Sequence, residues 1–190
     1  MPELEVALKK ANMKLEPTLQ SPFEMLIKSI IYQQLAYKAA KTILDRFMGL
    51  VGKLTPNRVL AKTQEELRSV GLSRQKASYI HNVAEAFSKG GFLWKYRTIE
   101  SLSNLSSKEI SQMFTQIKGV GEWTTQMYLI FSMGRLDVLS AGDLGVRKGV
   151  MKLYGLEKIP TQKEVEKIAE PWHPLETVGT FLAWRAVDEE

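Results

Sequence analysis

Apolar residues recur at steps of three and four along almost the whole chain, and they nowhere alternate in the pattern of a half-buried strand. That periodicity confines the fold to packed helices. In the stretch 21–52, "SPFEMLIKSIIYQQLAYKAAKTILDRFMGLVG", the residues Phe23, Leu26, Ile27, Ile30 and Ile31 share one helical face. Ala39, Ile43, Phe47, Met48 and Val51 continue the pattern. Ser21, Pro22 and Glu24 supply a capping oxygen, a proline suited to the first helical position and early negative charge. One helix of that length is rare in a globular domain, so the stretch reads as two, broken near Gln33–Ala36 and closed by Gly49 and Gly52. "TPNRVLAKT" and "TQEELRSVG" read as short threonine-led helices, and "LSRQKASYIHNVAEAFSKGG" as a longer one capped by Ser73 and ended by Gly90 and Gly91. Further helices are predicted in "SSKEISQMFTQIKG" from Ser107, and in "EWTTQMYLIFSMG", "DLGVRKGVMKLYG", "TQKEVEKIAE" and "PLETVGTFLAWRAVDE". Only "FLWKYRT" has any strand character. The fold class is all-α.

Composition removes several kinds of chemistry. With no cysteine, disulfides, thiolate zinc sites and iron–sulfur clusters are excluded. His81 and His173 are the only histidines, which argues against a histidine metal centre or a serine–histidine triad. The opening "MPELEVALKK" has acidic residues where a signal peptide needs a basic and then an apolar segment. No apolar run is long enough for a bilayer, so a soluble intracellular protein is expected. The 190 residues suffice for one domain or two small lobes with a real core. Lys+Arg 26 against Asp+Glu 21 gives a net charge of +5, a mild lean towards polyanionic partners.

The segment "IKGVGEWTT", residues 117–125, joins two predicted helices through a turn containing Gly119 and Gly121. Glycines there permit positive φ and remove side chains that would hold another molecule away. The second helix then begins with free N–H groups suited to a phosphate oxygen. A plain helix stop in an αα-hairpin explains the same spacing. Asp143 stands 22 positions after Gly121, at the start of the next helix, where an N-cap is the simplest role. Trp123 falls at helical spacing with Met127 and Ile130, so core and pocket are both open to it. Trp184, on an apolar C-terminal helix, reads most simply as packing.

Four stretches in order, "SIIYQQLAYKAAKTI", "GLSRQKASYI", "IKGVGEWTTQMYLIFSMGRLDVLSAGDLGVRKG" and "WHPLETVGTFLAWR", resemble the helix-hairpin-helix (HhH-GPD) DNA glycosylases. The resemblance runs from about Pro22 to Arg185 and is to the AlkA/Mag-type DNA-3-methyladenine glycosylases in particular. It implies two helical lobes with the active-site cleft between them and the hairpin, at about 107–133, on the rim. One lobe would take about 1–31 and 137–190, the other about 32–136, within one compact glycosylase unit lacking the extra N-terminal sheet domain of some relatives. The implied activity is base excision repair: an alkylated purine is flipped out of the duplex and its N-glycosidic bond hydrolysed, leaving an abasic site. Asp143 matches the family's carboxylate, which stabilises the oxocarbenium-like sugar and orients water. A cationic purine leaves readily, so one carboxylate suffices.

Other roles follow from the same resemblance. Trp123 stands where strand-cutting relatives carry a nucleophilic lysine, which implies a monofunctional enzyme. Trp123, Trp184, Tyr32 and Met127 would form the base pocket, aromatic faces favouring a cationic base. Tyr32 departs from the small residue expected there, and Tyr37 lies close by. Gln34 would plug the vacated hole and Leu35 wedge the minor groove, with Gln33 a buried structural amide in another reading. Lys118 and the Gly119 and Gly121 backbone would bind phosphate, with Arg74, Lys76, Lys38 and Lys41 on a basic face. No cofactor is required. Such hairpins often bind a monovalent or divalent cation, here through main-chain oxygens of Thr115, Ile117 and Val120, though Lys118 replaces a common proline. The expected partner is double-stranded DNA carrying alkylated bases, met by a monomer in the cytoplasm or nucleoid (nuclear in a eukaryote). The alternatives are a non-enzymatic hairpin that binds DNA, or a glycosylase for uracil, mismatched or oxidised bases.

Overall fold

The computed structural model describes residues 17–188, and the described chain is helical with no strand. The helices are α1 (Pro22–Tyr32), α2 (Tyr37–Val51), α3 (Pro56–Leu60), α4 (Gln64–Ser69), α5 (Arg74–Phe87), α6 (Ile99–Leu102), α7 (Ser107–Phe114), α8 (Glu122–Phe131), α9 (Leu144–Leu153), α10 (Gln162–Ile168) and α11 (Glu176–Asp188). A 3₁₀ turn, Glu170–Trp172, precedes α11. The "FLWKYRT" segment forms turns. No described helix is long and apolar enough to cross a membrane.

Side chains start most of these helices. Ser21, Thr55, Thr63, Ser73, Thr98, Ser106 and Thr161 each accept a backbone N–H of the first turn, an arrangement that contributes about 1 kcal/mol per helix. Four caps are reciprocal boxes, Thr63 with Glu66, Thr98 with Ser101, Ser106 with Glu109 and Thr161 with Glu164. The box with Glu109 makes Ser106 the cap of α7 and places the expected start, Ser107, one residue inside. α6 is too short to give a periodic signal in the sequence.

The chain divides into two compact units, Leu19–Tyr128 and the remainder. In the first, α5 is the central element, packed by α1, α3 and α4. A ladder of buried rings runs Phe23–Phe87–Phe114–Tyr128, with successive centroids 6.0, 6.2 and 5.4 Å apart, and ties α1, α5, α7 and α8 together. Burial without a partner pushes the Tyr128 phenol far above its ordinary value and keeps it neutral. The division differs from the expected boundaries at 31/32 and 136/137. Phe23, Leu26, Ile27 and Ile30 are all buried, and α1 packs on α5 and α2, so α1 belongs to the unit of the central helices. The placement expected for residues 1–16 lies outside the described residues.

The second unit is built on α9 and α11. Their backbones meet at Gly149, where a Cβ would run into the Ala183 carbonyl. Ala141, Val146, Val150, Val165, Ala169, Trp172 and Ala183 form its core. Gly179 leaves room for the Trp172 ring, whose Nε1–H donates to the Tyr154 hydroxyl at 3.1 Å.

Candidate active site and nucleic-acid interface

Asp143 caps α9. Its Oδ1 accepts the Val146 N–H at 2.9 Å, and the same oxygen accepts the indole Nε1–H of Trp184 at 2.9 Å. Backbone and side chain thus hold one carboxylate oxygen from two sides. Capping and orientation go together here: the cap fixes the direction in which the acid points. Gly145 makes the pairing possible, because a Cβ there would lie 3.0 Å from Oδ1 and 3.1 Å from Trp184 Cδ1.

The loop that delivers Asp143 is fixed by the same helix that carries Trp184. The buried Thr177 hydroxyl donates to the Arg135 carbonyl at 2.9 Å and accepts the Val138 N–H at 3.1 Å. Thr180 accepts the Ser140 N–H at 3.3 Å, and the Asp143 N–H then donates to the Ser140 carbonyl at 3.0 Å. Thr177, Thr180 and Trp184 stand three and four residues apart, so one face of α11 sets the loop and the acid together.

Trp184 is one of three rings in contact. Phe131 lies nearly parallel to it with centroids 6.1 Å apart, and Phe181 meets both edge-on at 5.4 and 5.7 Å. Phe131 remains 38% exposed, so the cluster presents an aromatic surface. Phe131, Phe181, Thr177, Thr180 and Gly145 were not singled out in the sequence. The i, i+3, i+7 spacing of Thr177, Thr180 and Trp184 was the available signal.

The hairpin turn and α8 up to Tyr128 belong to the other unit. α7 ends at Phe114, and the turn 115–121 leads into α8. Gly119 has φ +105, and a Cβ there would strike the Tyr79 ring, so local geometry requires glycine. Gly121 differs, because a Cβ added there meets nothing within 4 Å and its φ is ordinary. Nothing among the described residues calls for glycine at 121. Lys118 is exposed, and its carbonyl accepts the Asn82 Nδ2–H at 3.0 Å. Thr115 closes α7, and the Ile117 carbonyl accepts the Val120 N–H at 2.9 Å, which leaves that oxygen a second lone pair. Trp123, on the first turn of α8, is 47% exposed, while Met127 one turn on is buried. The indole is therefore not core.

The break between α1 and α2 falls at Gln33–Ala36. Gln34 adopts a positive φ of 55, and both Gln34 and Leu35 are exposed. Gln33 is half-buried and its Nε2–H reaches the Gly119 carbonyl at 3.4 Å. Tyr32 and Tyr37 flank the break with ring centroids 5.7 Å apart. Lys38 and Arg74 are exposed, and Lys41 is exposed but paired with Asp45 at 2.8 Å, which raises its pKa. Lys76 departs from the expected basic face. Its ammonium turns inward onto the carbonyls of Ile31 and Gln33, at 2.8 and 2.7 Å. Those carbonyls end α1 and want donors, which is the physical reason for the departure.

Together these features define a helical protein with a capped, indole-held acid in one unit and a glycine hairpin in the other. Residues 27–174 match the model of the HhH-GPD superfamily base excision DNA repair proteins, and the chain belongs to that family. DNA-3-methyladenine glycosylase 1 of Schizosaccharomyces pombe is 37% identical over 169 residues, which span 87% of this chain and 72% of that one. Among solved structures, a 3-methyladenine DNA glycosylase from the same yeast, in complex with abasic DNA, superposes with a TM-score of 0.78 at 34% identity. That match covers 95% of this chain and 89% of the other. A DNA-3-methyladenine glycosidase from Bacillus halodurans gives a TM-score of 0.83 at 33% identity, covering 100% and 90%.

Proposed function

We propose that this protein is a DNA glycosylase of base excision repair that releases alkylated purines of the 3-methyladenine class. The observation that carries the proposal is the Asp143 carboxylate, fixed through Oδ1 by the Val146 N–H and the Trp184 indole. A module that only gripped DNA would need no acid oriented in this way. Relatives named for this activity, at 37% and 34% identity, support the same conclusion.

In the proposed mechanism Gln34 and Leu35 enter the duplex at the lesion, as plug and wedge, and the damaged nucleotide leaves the stack. Trp123, Trp184, Tyr32 and Met127 receive the base. A positively charged purine is favoured by the indole faces over a neutral one. Asp143 stabilises the positive charge that grows on the deoxyribose as the C–N bond breaks, and orients the water that adds to the sugar. Lys118 and the backbone at Gly119 and Gly121 hold phosphate. Because Trp123 cannot form a Schiff base, the product is an intact strand with an abasic site. A hairpin cation would rest on main-chain oxygens of Thr115, Ile117 and Val120 and would stiffen the turn. That donor set would be of neutral carbonyls.

A panel of duplexes, each carrying one lesion, tests the proposal by scoring free base released. Release of 3-methyladenine or 7-methylguanine ahead of uracil and 8-oxoguanine is expected. Binding without release of any base would leave only a DNA-binding hairpin. Borohydride should trap no covalent protein–DNA adduct, and a trapped adduct would overturn the monofunctional assignment.

A further inference from the structure

The break that presents Gln34 and Leu35 has no glycine to shape it. Gln34 nevertheless occupies the left-handed region at φ 55, which a residue with a side chain adopts only at a cost in strain. Such a conformation persists only where its surroundings over-determine it. Here the surroundings come from α5. The Lys76 ammonium donates to the carbonyls of Ile31 and Gln33, on either side of the last residue of α1. Its charge suits the negative end of that helix. Burial of the ammonium on these carbonyls lowers the pKa of Lys76 through desolvation.

The same helix face continues to the hairpin. Three residues after Lys76, the Tyr79 ring fills the space left by the missing side chain of Gly119. Three residues further, Asn82 Nδ2 donates to the Lys118 carbonyl at 3.0 Å. Gln33 joins the two ends directly through the Gly119 carbonyl. One face of α5 therefore sets the intercalating turn and the phosphate-binding turn in a fixed register within one unit.

We propose that Lys76 is a positioning residue for base extrusion: held on the Ile31 and Gln33 carbonyls, it locks the turn that aims Gln34 and Leu35 relative to the hairpin. This rests on the plug and wedge roles of those two residues. In this role Lys76 acts through the Ile31 and Gln33 carbonyls and the turn they hold, rather than on the reacting atoms. Its loss should slow extrusion where a lesion is paired and must be forced out, and matter little where the pairing is already broken.

The test uses single-turnover release of 7-methylguanine opposite cytosine or opposite thymine, with 2-aminopurine beside the lesion reporting extrusion. Loss of two charge-assisted bonds in Lys76→Met should slow the paired lesion about tenfold and the mismatched one less than about twofold. Affinity for a tetrahydrofuran abasic analogue should stay within about twofold of the original, and Lys76→Arg, which can still donate to both carbonyls, should restore the paired rate. Equal slowing on both duplexes, no slowing, or no rescue by arginine would overturn the proposal. Should Lys76→Met fail to fold, the same ratio measured on Lys76→Gln decides. Leu35→Ala and Gln34→Ala run beside it separate the two ideas. If they slow the paired lesion selectively while Lys76→Met does not, plug and wedge stand and the role of Lys76 falls. If they slow both duplexes equally, plug and wedge fall first.

Discussion

Replacing Trp184 by phenylalanine removes one N–H from the site and little else. The Phe131 and Phe181 contacts, with ring centroids 6.1 and 5.4 Å from Trp184, can be kept by a phenyl ring. The bond from Nε1 to Asp143 Oδ1, at 2.9 Å, cannot. A hydrogen bond to a charged group contributes about 1.5–3 kcal/mol, and each 1.36 kcal/mol is about tenfold in rate, so the loss can cost about 10- to 150-fold. The Val146 cap remains and keeps α9 in place, so the cost falls on how often the carboxylate points the productive way. The fall should appear in kcat for release of an alkylated purine, not in affinity for abasic-analogue DNA. Melting should drop by about 2–4 °C if about 1 kcal/mol of folding stability goes with the bond. Unchanged kcat, or a loss confined to DNA affinity, would refute the idea that the indole orients the acid.

The Cβ of Gly121→Ala would meet no atom of the described residues within 4 Å, so the melting temperature should hold within about a degree while DNA affinity, measured by fluorescence anisotropy, falls. Unchanged affinity would argue that no phosphate approaches there. Thr180→Val leaves the buried Ser140 N–H without its hydroxyl and should cost about 1–3 kcal/mol in denaturant unfolding, with slower base release because the Asp143 loop loosens. The carboxyls of Glu66, Glu109 and Glu164 sit below their ordinary value of 4.5, held by the Thr63, Ser106 and Thr161 caps, with hydrogen bonds as the leading cause. Their contribution is therefore present above 4.5 and lost as pH falls through the lowered folded values. Replacing all three by glutamine should flatten the acid side of a plot of melting temperature against pH, and an unaltered slope would show that the boxes do not carry that linkage.

Helix positions were legible because two local signals coincide in this chain: apolar residues at three- and four-residue steps, and serine or threonine caps often answered by glutamate three residues on. The break at Gln33–Ala36 was legible from length alone. The partner of α1 was not, because an apolar stripe records that a helix is buried but not against what. Lys76 misled for a related reason. A lysine among other basic residues reads as solvated, and only the folded chain brings the end of α1 within its reach. Trp123 had two readings at equal spacing, and its exposure on the first turn of α8 removes the core one. Asp143 was found as a cap and, by resemblance, as the family's acid. Its second bond, across to Trp184, spans 41 positions and has no local signature.

The central claim is that Asp143 supplies the charge that lets the sugar release its base. Its most direct test is single-turnover release of an alkylated purine by Asp143→Asn, measured beside binding to abasic-analogue DNA. Asparagine can still accept the Val146 and Trp184 bonds, so fold and DNA affinity should persist while release falls by several orders of magnitude, about the scale expected when an essential carboxylate is neutralised. Release within a few-fold of the original protein would contradict the claim.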